Sequence, residues 1–302
     1  MTQQPHHEPS RNTRRRKFAL LHFTKMHGLG NDFMVIETLS QEFALTSELI
    51  QQWADRRTGI GFDQLLVLGP PKTASEDFSY EIYNADGSKV GQCGNGARAL
   101  ARFIKDQKLS PKVENRLATS HTSLSVQVLE SGLSQVELAS PTFAIASIPC
   151  NPTGQDVRWV QQCARIQGPL TAGIPIYTLS LGNPHAIIFV DDLTTINHTF
   201  AEHLQNSALF PESVNVGFAK LENSDNLQLR VVERGAGETM ACGSGATAAV
   251  IACIEAGLTT CTTLCVSLRG GDLQITWDRP KLQMVGPASR VFTGRILVRI
   301  SS

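Results

Sequence analysis

The chain has 302 residues, 41% hydrophobic and 18% charged, with 27 basic side chains against 27 acidic ones. That composition fits a globular protein of one or two domains and gives no electrostatic footprint for nucleic acid or an acidic membrane surface. No apolar run reaches the length that spans a bilayer.

Residues 1–20 carry His6, His7, Arg11, Arg14, Arg15 and Arg16 with few apolar partners. They read as a flexible basic tail, because a targeting leader would need an apolar core that is missing here. From Phe23 the pattern is strand-like to Met26. A glycine-rich turn, His27-Gly28-Leu29-Gly30-Asn31-Asp32, leads to a second strand over Phe33–Ile36. Thr46 or Ser47 caps an expected helix to about Arg56, with Leu49, Ile50 and Trp53 on one face. A turn at Gly59–Gln64 precedes a strand over Leu65–Leu68, and the strand Tyr80–Tyr83 delivers Asn84 to a cysteine loop. A helix over Ala97–Lys105 follows, then alternating segments near Leu124–Leu129 and Ser134–Leu138.

The second half repeats this plan. The strand Ile176–Leu181 enters Gly182-Asn183-Pro184-His185 and the apolar run Ala186–Val190, as Gly30-Asn31-Asp32 enters Phe33–Ile36. Phe200–Gln205 reads as helical, and Val214–Phe218 echoes Ile60-Gly61-Phe62. The strand Leu229–Val232 delivers Glu233 as Tyr80–Tyr83 delivers Asn84, and a helix over Ala246–Glu255 follows. Asn31 and Asn183, Asn84 and Glu233, and Cys93 and Cys242 are each about 150 residues apart. That period is too long for a solenoid repeat and suits two domains related by duplication. Strand-rich halves with one or two helices each predict an α+β fold. The expected division is residues 21–139 together with 289–302 as one domain and 140–288 as the other. The strand Arg295–Ile300 would cross back to complete the first. Ligands commonly lie between such domains.

Seven cysteines, an odd number with no CxxC pair, argue against a disulfide framework or a structural zinc site and suit a reducing cytoplasm. Two stand apart: Cys93-Gly94-Asn95-Gly96-Ala97 and Cys242-Gly243-Ser244-Gly245-Ala246 each place a thiol just ahead of an alanine-rich helix. Unpaired N–H groups and the helix dipole there are expected to lower the thiol pKa. The other five cysteines read as small hydrophobes. Two thiols facing one cleft could remove a proton from one face of a substrate carbon and return one to the other, inverting it. Helix-start N–H groups would bind the carboxylate where charge builds up. No stretch advertises a Schiff-base lysine with a phosphate site.

The runs Met26–Phe33, Asn84–Ser88, Gln92–Arg98, Gly182–His185, Glu233–Thr239 and Ala241–Gly245 together closely resemble diaminopimelate epimerases, from about residue 23 to the C-terminus. The resemblance implies a cofactor-independent epimerase interconverting LL- and meso-diaminopimelate, a precursor of lysine and of peptidoglycan cross-links. It also implies two pseudo-symmetric α/β domains, each a strand-rich barrel around a central helix, in a homodimer. By motif match Cys93 and Cys242 would be the two bases, and Asn31 and Gln64 would lie beside the reacting end. Gly94, Asn95, Gly243 and Ser244 would cradle its carboxylate. Asn84, Asn183, Asn215, Glu233 and Arg234 would hold the distal amino-acid head, for which a cation and an anion are chemically suited. His185 and Glu233 are candidates for tuning protonation. The basic tail is an addition to the family pattern, and Thr119-Ser120-His121-Thr122 stands where a Thr-Gly turn is expected.

Two other readings use the same residues. A related two-thiol racemase of proline, hydroxyproline or histidine would leave the distal polar set unused. A non-catalytic amino-acid-binding protein would need neither cysteine, and a thiol-redox pair would lack the usual spacing.

Overall fold

The computed structural model describes residues 18–91, 94–119, 123–194 and 196–299; Gln92, Cys93 and Ser120–Thr122 lie outside the described residues, as do 1–17. The first half runs β1 (Phe18–Gly28), β2 (Asn31–Glu37), α1 (Ser47–Ala54), β3 (Gln64–Gly69), β4 (Phe78–Asn84), β5 (Lys89–Val90), α2 (Gly94–Asp106), β6 (Glu114–Ala118), β7 (Ser123–Val128) and β8 (Ser134–Leu138). A hairpin that the sequence patterns do not announce, β9 (Asp156–Val160) and β10 (Cys163–Gln167), follows. The second half runs β11 (Ile176–Ser180), β12 (Pro184–Phe189), α3 (His198–Gln205), β13 (Asn215–Asn223), β14 (Asn226–Glu233), β15 (Gly237–Glu238), α4 (Gly243–Glu255), β16 (Thr263–Leu268), β17 (Gly271–Asp278), β18 (Lys281–Gly286) and β19 (Ser289–Arg299).

The pairings repeat strand for strand. β2 lies parallel to β3 across α1, and β12 lies parallel to β13 across α3. β4 runs parallel to β6 across α2, and β14 runs parallel to β16 across α4. Parallel neighbours need such crossovers, and helices supply all four. The meanders β6–β7–β8 and β16–β17–β18 also correspond. The chain ends cross over: β19 pairs with β1 over most of its length, in the way β10 pairs with β11. The first strand begins at Phe18, five residues before the sequence pattern turns strand-like. A seam joins the halves where β8 pairs with β18, setting Val136 opposite Met284 and Ser134 opposite Gly286.

Each half wraps its sheet around one helix and lays the other outside. Thr46 caps the outer α1, its hydroxyl accepting from Leu49 N at 3.3 Å, and Ile50 and Trp53 are buried against the sheet. Asn197 caps α3 in the same way, accepting from Phe200 N at 2.9 Å. The inner helices are 13 residues each and buried on nearly every side. An enclosed helix is apolar on nearly every side, and α4 is over Ala246–Cys253, none of which has exposed surface, with Thr247 the one polar side chain among them. Small alanines let the strands close on it. The helix α2 is enclosed too, with Ala97, Ala99, Leu100, Phe103 and Ile104 in the core, yet it also buries Asn95 and Arg98.

Candidate functional site

The two inner helices point their N-termini at one another across the seam. Cys242 is the N-cap of α4, and its thiol accepts from Gly245 N at 3.3 Å. Glycine at 245 permits this approach, since a Cβ there would sit 3.2 Å from the sulfur. The thiol also lies 3.5 Å from the Ser244 hydroxyl. At the other helix start, Asn95 donates its amide to Ala241 O at 3.1 Å, tying α2 to the residue before Cys242. Met284 fills the gap from β18. A Cβ on Gly94 would lie 2.6 Å from its methyl carbon and one on Gly243 3.2 Å from its sulfur. Cys93 immediately precedes Gly94 in sequence and lies outside the described residues.

The helix-end argument predicts a depressed thiol pKa, and for Cys242 the opposite holds. Burial first, and the nearby Glu233 carboxylate second, push its pKa well above the ordinary thiol value. Ser244 and the Gly245 N–H oppose them and are outweighed. Two hydrogen bonds cannot replace the solvation lost at a site only 5% exposed.

In the first half Asn31 begins β2, Gln64 begins β3 and Asn84 ends β4. Gln64 pairs with Asn84 in register and donates its side-chain amide to Asn84 Oδ1 at 3.1 Å. The groups assigned to the reacting and distal ends are therefore in direct contact. Asn31 Oδ1 and Gln64 Oε1 are buried acceptors without a donor among the described residues. An ion network next to them pins both strand starts. Asp32 N donates to Asp63 Oδ2 and Asp63 N to Asp32 Oδ1, while Arg56 forks onto Asp32 at 2.8 and 3.0 Å. Lys25 of β1 also pairs with Asp32. Burial alone would raise the Asp32 pKa, but the hydrogen bonds from Arg56, Lys25 and Asp63 hold it well below the usual carboxylate range.

In the second half a relay leads away from the thiol. Asn183 donates to Ser244 Oγ at 3.4 Å, and His185 Nε2 lies 3.1 Å from Asn183 Oδ1. Nε2 therefore carries the proton and Nδ1 the lone pair, which is buried without a donor among the described residues. Burial, and then the Arg234 charge, push the His185 pKa down to about 3, so the ring is neutral. Asn215 lies opposite His185 in register, donates to Pro184 O at 3.0 Å and accepts from Arg234 N at 3.0 Å. The exposed Arg234 guanidinium reaches Glu212 O at 2.9 Å, and Glu233 accepts from the Thr239 hydroxyl.

Of the expected site residues that are described, Gly94, Asn95, Cys242, Gly243 and Ser244 form the two helix starts and Asn183 bonds to Ser244, while Gln64 and Asn84 form their own pair at the ends of β3 and β4. Ala241, which opens the second cysteine motif, belongs at the helix starts too, as does Met284, whose sequence context carries no mark. Arg98 closes the glycine-rich motif after Cys93, which was a usable signal, but its burial is visible only in three dimensions. No group of three potential metal ligands occurs among the described residues. A separate hollow of about 880 Å³, lined by Leu21, His22, Glu37, Gln41 and Gln107 among others, lies along the start of β1 and contains none of the expected site residues.

Residues 23–144 and 177–291 match the family model for diaminopimelate epimerase. A diaminopimelate epimerase from Pseudomonas savastanoi pv. phaseolicola is 42% identical over 280 residues, covering 92% of this chain and 99% of the relative. Among solved structures, a hydroxyproline epimerase from Agrobacterium vitis with bound trans-4-hydroxy-L-proline is similar, with a TM-score of 0.65 at 10% identity over 95% of this chain and 94% of that one. A phenazine biosynthesis protein of the PhzF family from Bacillus anthracis gives 0.61 at 16% identity over 93% and 100%. These two share the fold.

Proposed function

The chain belongs to the diaminopimelate epimerase family, and from that premise we propose that it interconverts LL- and meso-diaminopimelate by a two-base mechanism with Cys93 and Cys242 as the bases. The observation that carries the proposal is the meeting of the two inner helix N-termini across Met284, stapled by Asn95 and Ala241, each helix directly preceded in sequence by a cysteine. One sulfur enters as thiolate and takes the α-proton. The other enters as thiol and gives its proton to the opposite face of the carbanion, leaving the two charge states exchanged and no net proton consumed. In the reverse direction the roles swap.

The remaining groups fit a zwitterionic amino acid. Of the first-turn N–H groups of α4, Gly245 serves the thiol and Ala246 the helix, which leaves those of Gly243 and Ser244 for the α-carboxylate. The buried acceptors Asn31 Oδ1 and Gln64 Oε1 suit the reacting ammonium. Asn84, Asn183, Asn215, Glu233 and Arg234 would hold the second amino-acid head. Glu233 and the neutral His185 would tune protonation near the thiols. Arg234 separates this reading from a proline or hydroxyproline racemase, because neither substrate has a distal carboxylate for it.

The same reading gives two domains, residues 21–139 with 289–302 and residues 140–288, and a role in the supply of lysine and peptidoglycan precursors. A reducing cytoplasm suits it, since a disulfide sulfur cannot accept a proton. No helix among the described residues is long and apolar enough to cross a membrane. We extend the proposal to a homodimer through the outer face of β1 and β19, where Leu20 and Leu297 face each other across the strands, 54% and 61% exposed. The test is incubation of the reduced protein with LL-diaminopimelate and no added cofactor, followed by separation of the stereoisomers, with L-proline and trans-4-hydroxy-L-proline alongside. Conversion of diaminopimelate alone supports the proposal, and conversion of an imino acid alone would replace it.

A further inference from the structure

Among the largest fully buried side chains is an arginine. Arg98 has no exposed surface and lies one turn into α2. Burying a guanidinium is costly unless its donors are used. One fork nitrogen donates to Asn95 Oδ1 at 2.9 Å, and the other reaches Met284 Sδ at 3.0 Å. The channel that admits it is made by glycines on two strands. A Cβ on Gly28 would lie 3.4 Å from one terminal nitrogen and one on Gly286 3.3 Å from Nε. Gly28 ends β1 at the turn that leads to Asn31, and Gly286 ends β18 two residues after Met284. Arg98 thus touches both helix starts' shared filler, the Asn95 staple and the turn that delivers Asn31.

The amide of Asn95 has two ends, and Arg98 decides which points where. With the cation on Oδ1, Nδ2 must face Ala241 O, the bond that sets the residue before Cys242. Gly243 packs against the same oxygen, a Cβ there falling 3.0 Å away. The pseudo-symmetric position in α4 is Thr247, whose hydroxyl turns back onto Gly243 O at 2.9 Å within its own helix. The cross-seam device is therefore built once, from the α2 side.

We propose that Arg98 is a positioning residue for the epimerase reaction: by fixing the Asn95 amide and Met284 it sets the spacing and orientation of the two cysteine-bearing helix starts. This rests on the two-thiol reading above. A purely structural brace would lower stability and leave the chemistry of the folded fraction unchanged, so the test needs both readouts.

Wild type, Arg98→Met and Arg98→Lys are compared for melting temperature, for kcat and KM with LL-diaminopimelate, and for the iodoacetamide alkylation rate of Cys242 followed by peptide mass. In folded Arg98→Met, kcat falls about 10²-fold with KM within about threefold, as expected when bound substrate meets misplaced bases. Cys242 is alkylated at least about tenfold faster, because the staple shielding it has loosened. Arg98→Lys keeps the charge but cannot fork, and it moves both quantities in the same direction by less. Wild-type kcat and wild-type alkylation in a folded variant, with only the melting temperature lowered, would overturn the proposal. If Arg98→Met does not fold, Arg98→Lys decides by the same criteria. If wild type fails to act on diaminopimelate, the functional reading falls, while the alkylation arm still judges Arg98.

Discussion

At the residue scale, the site is governed by buried polar groups whose charge state is set by what surrounds them. His185 has no exposed surface, and burial followed by the Arg234 charge takes its pKa from 6.5 down to about 3. Above about pH 6.5 the ring is neutral in folded and unfolded chains alike. Between there and about pH 3 only the unfolded chain takes the proton, so stability is lost as the pH falls, at up to roughly 1.4 kcal/mol per pH unit from this one group. Urea titrations at stepped pH should show that His185→Gln flattens this part of the acid limb, and an unchanged slope would remove His185 from the account. Cys242 shows what sequence could and could not disclose. Its identity, its place at a helix start and its glycine neighbours were all legible from the chain. The direction of its pKa was not, because a helix end lowers it by an amount that depends on exposure, and exposure is fixed by strands far away in sequence. The buried acceptors of Asn31 and Gln64 are legible as residues in the same way, but their lack of donors is a property of the assembled site.

At the element scale, the first glycine turn reaches across the seam. Leu29 sits in the left-handed region at φ 58°, between β1 and β2 of the first half, yet its side chain packs in the second half's core around α4. Gly270 makes room for it: a Cβ there would lie 1.9 Å from Leu29 O. Leu29→Ala should therefore cost about 2–5 kcal/mol, the range for a buried leucine, and should lower epimerase activity because the same turn delivers Asn31. Chemical denaturation and turnover on one sample check this, and a loss under about 1 kcal/mol with full activity would show that the peg is dispensable. Most elements were readable from periodicity and caps, including α1 after Thr46 and the strand Ser134–Leu138. The sequence pattern predicts inner helices from Ala97 and Ala246, and both start three residues earlier, at Gly94 and Gly243. Glycine and asparagine are poor helix formers, and here they enter the helix because the first turn faces the site rather than water. The seam of β8 with β18 carries no local signal, since pairing across about 150 residues depends on the whole fold, and the local β9–β10 hairpin lacks a clean apolar alternation in its first strand.

At the scale of the whole molecule, the repeat of one plan accounts for two cysteines in matching sequence contexts, each just ahead of an inner helix. Parallel pairs, crossovers and meanders repeat in order, and the last strand returns to pair with the first. Against that symmetry, Arg98 corresponds to Thr247 and Asn84 to Glu233, so the halves carry different side chains at equivalent places. The apolar pair Leu20 and Leu297 on the outer strands makes the dimer testable by light scattering. The wild type should have twice the mass of a Leu20→Glu variant, and a monomeric wild type would remove the interface from the account. The central claim, one base from each half, is tested most directly by solvent-deuterium incorporation at the α-carbon of LL-diaminopimelate. Wild type, Cys93→Ala and Cys242→Ala are each assayed with reductant and no added cofactor. The account predicts deuterium uptake with inversion by the wild type and no inversion by either variant. Inversion surviving in either variant, or no exchange by the reduced and folded wild type, would contradict it.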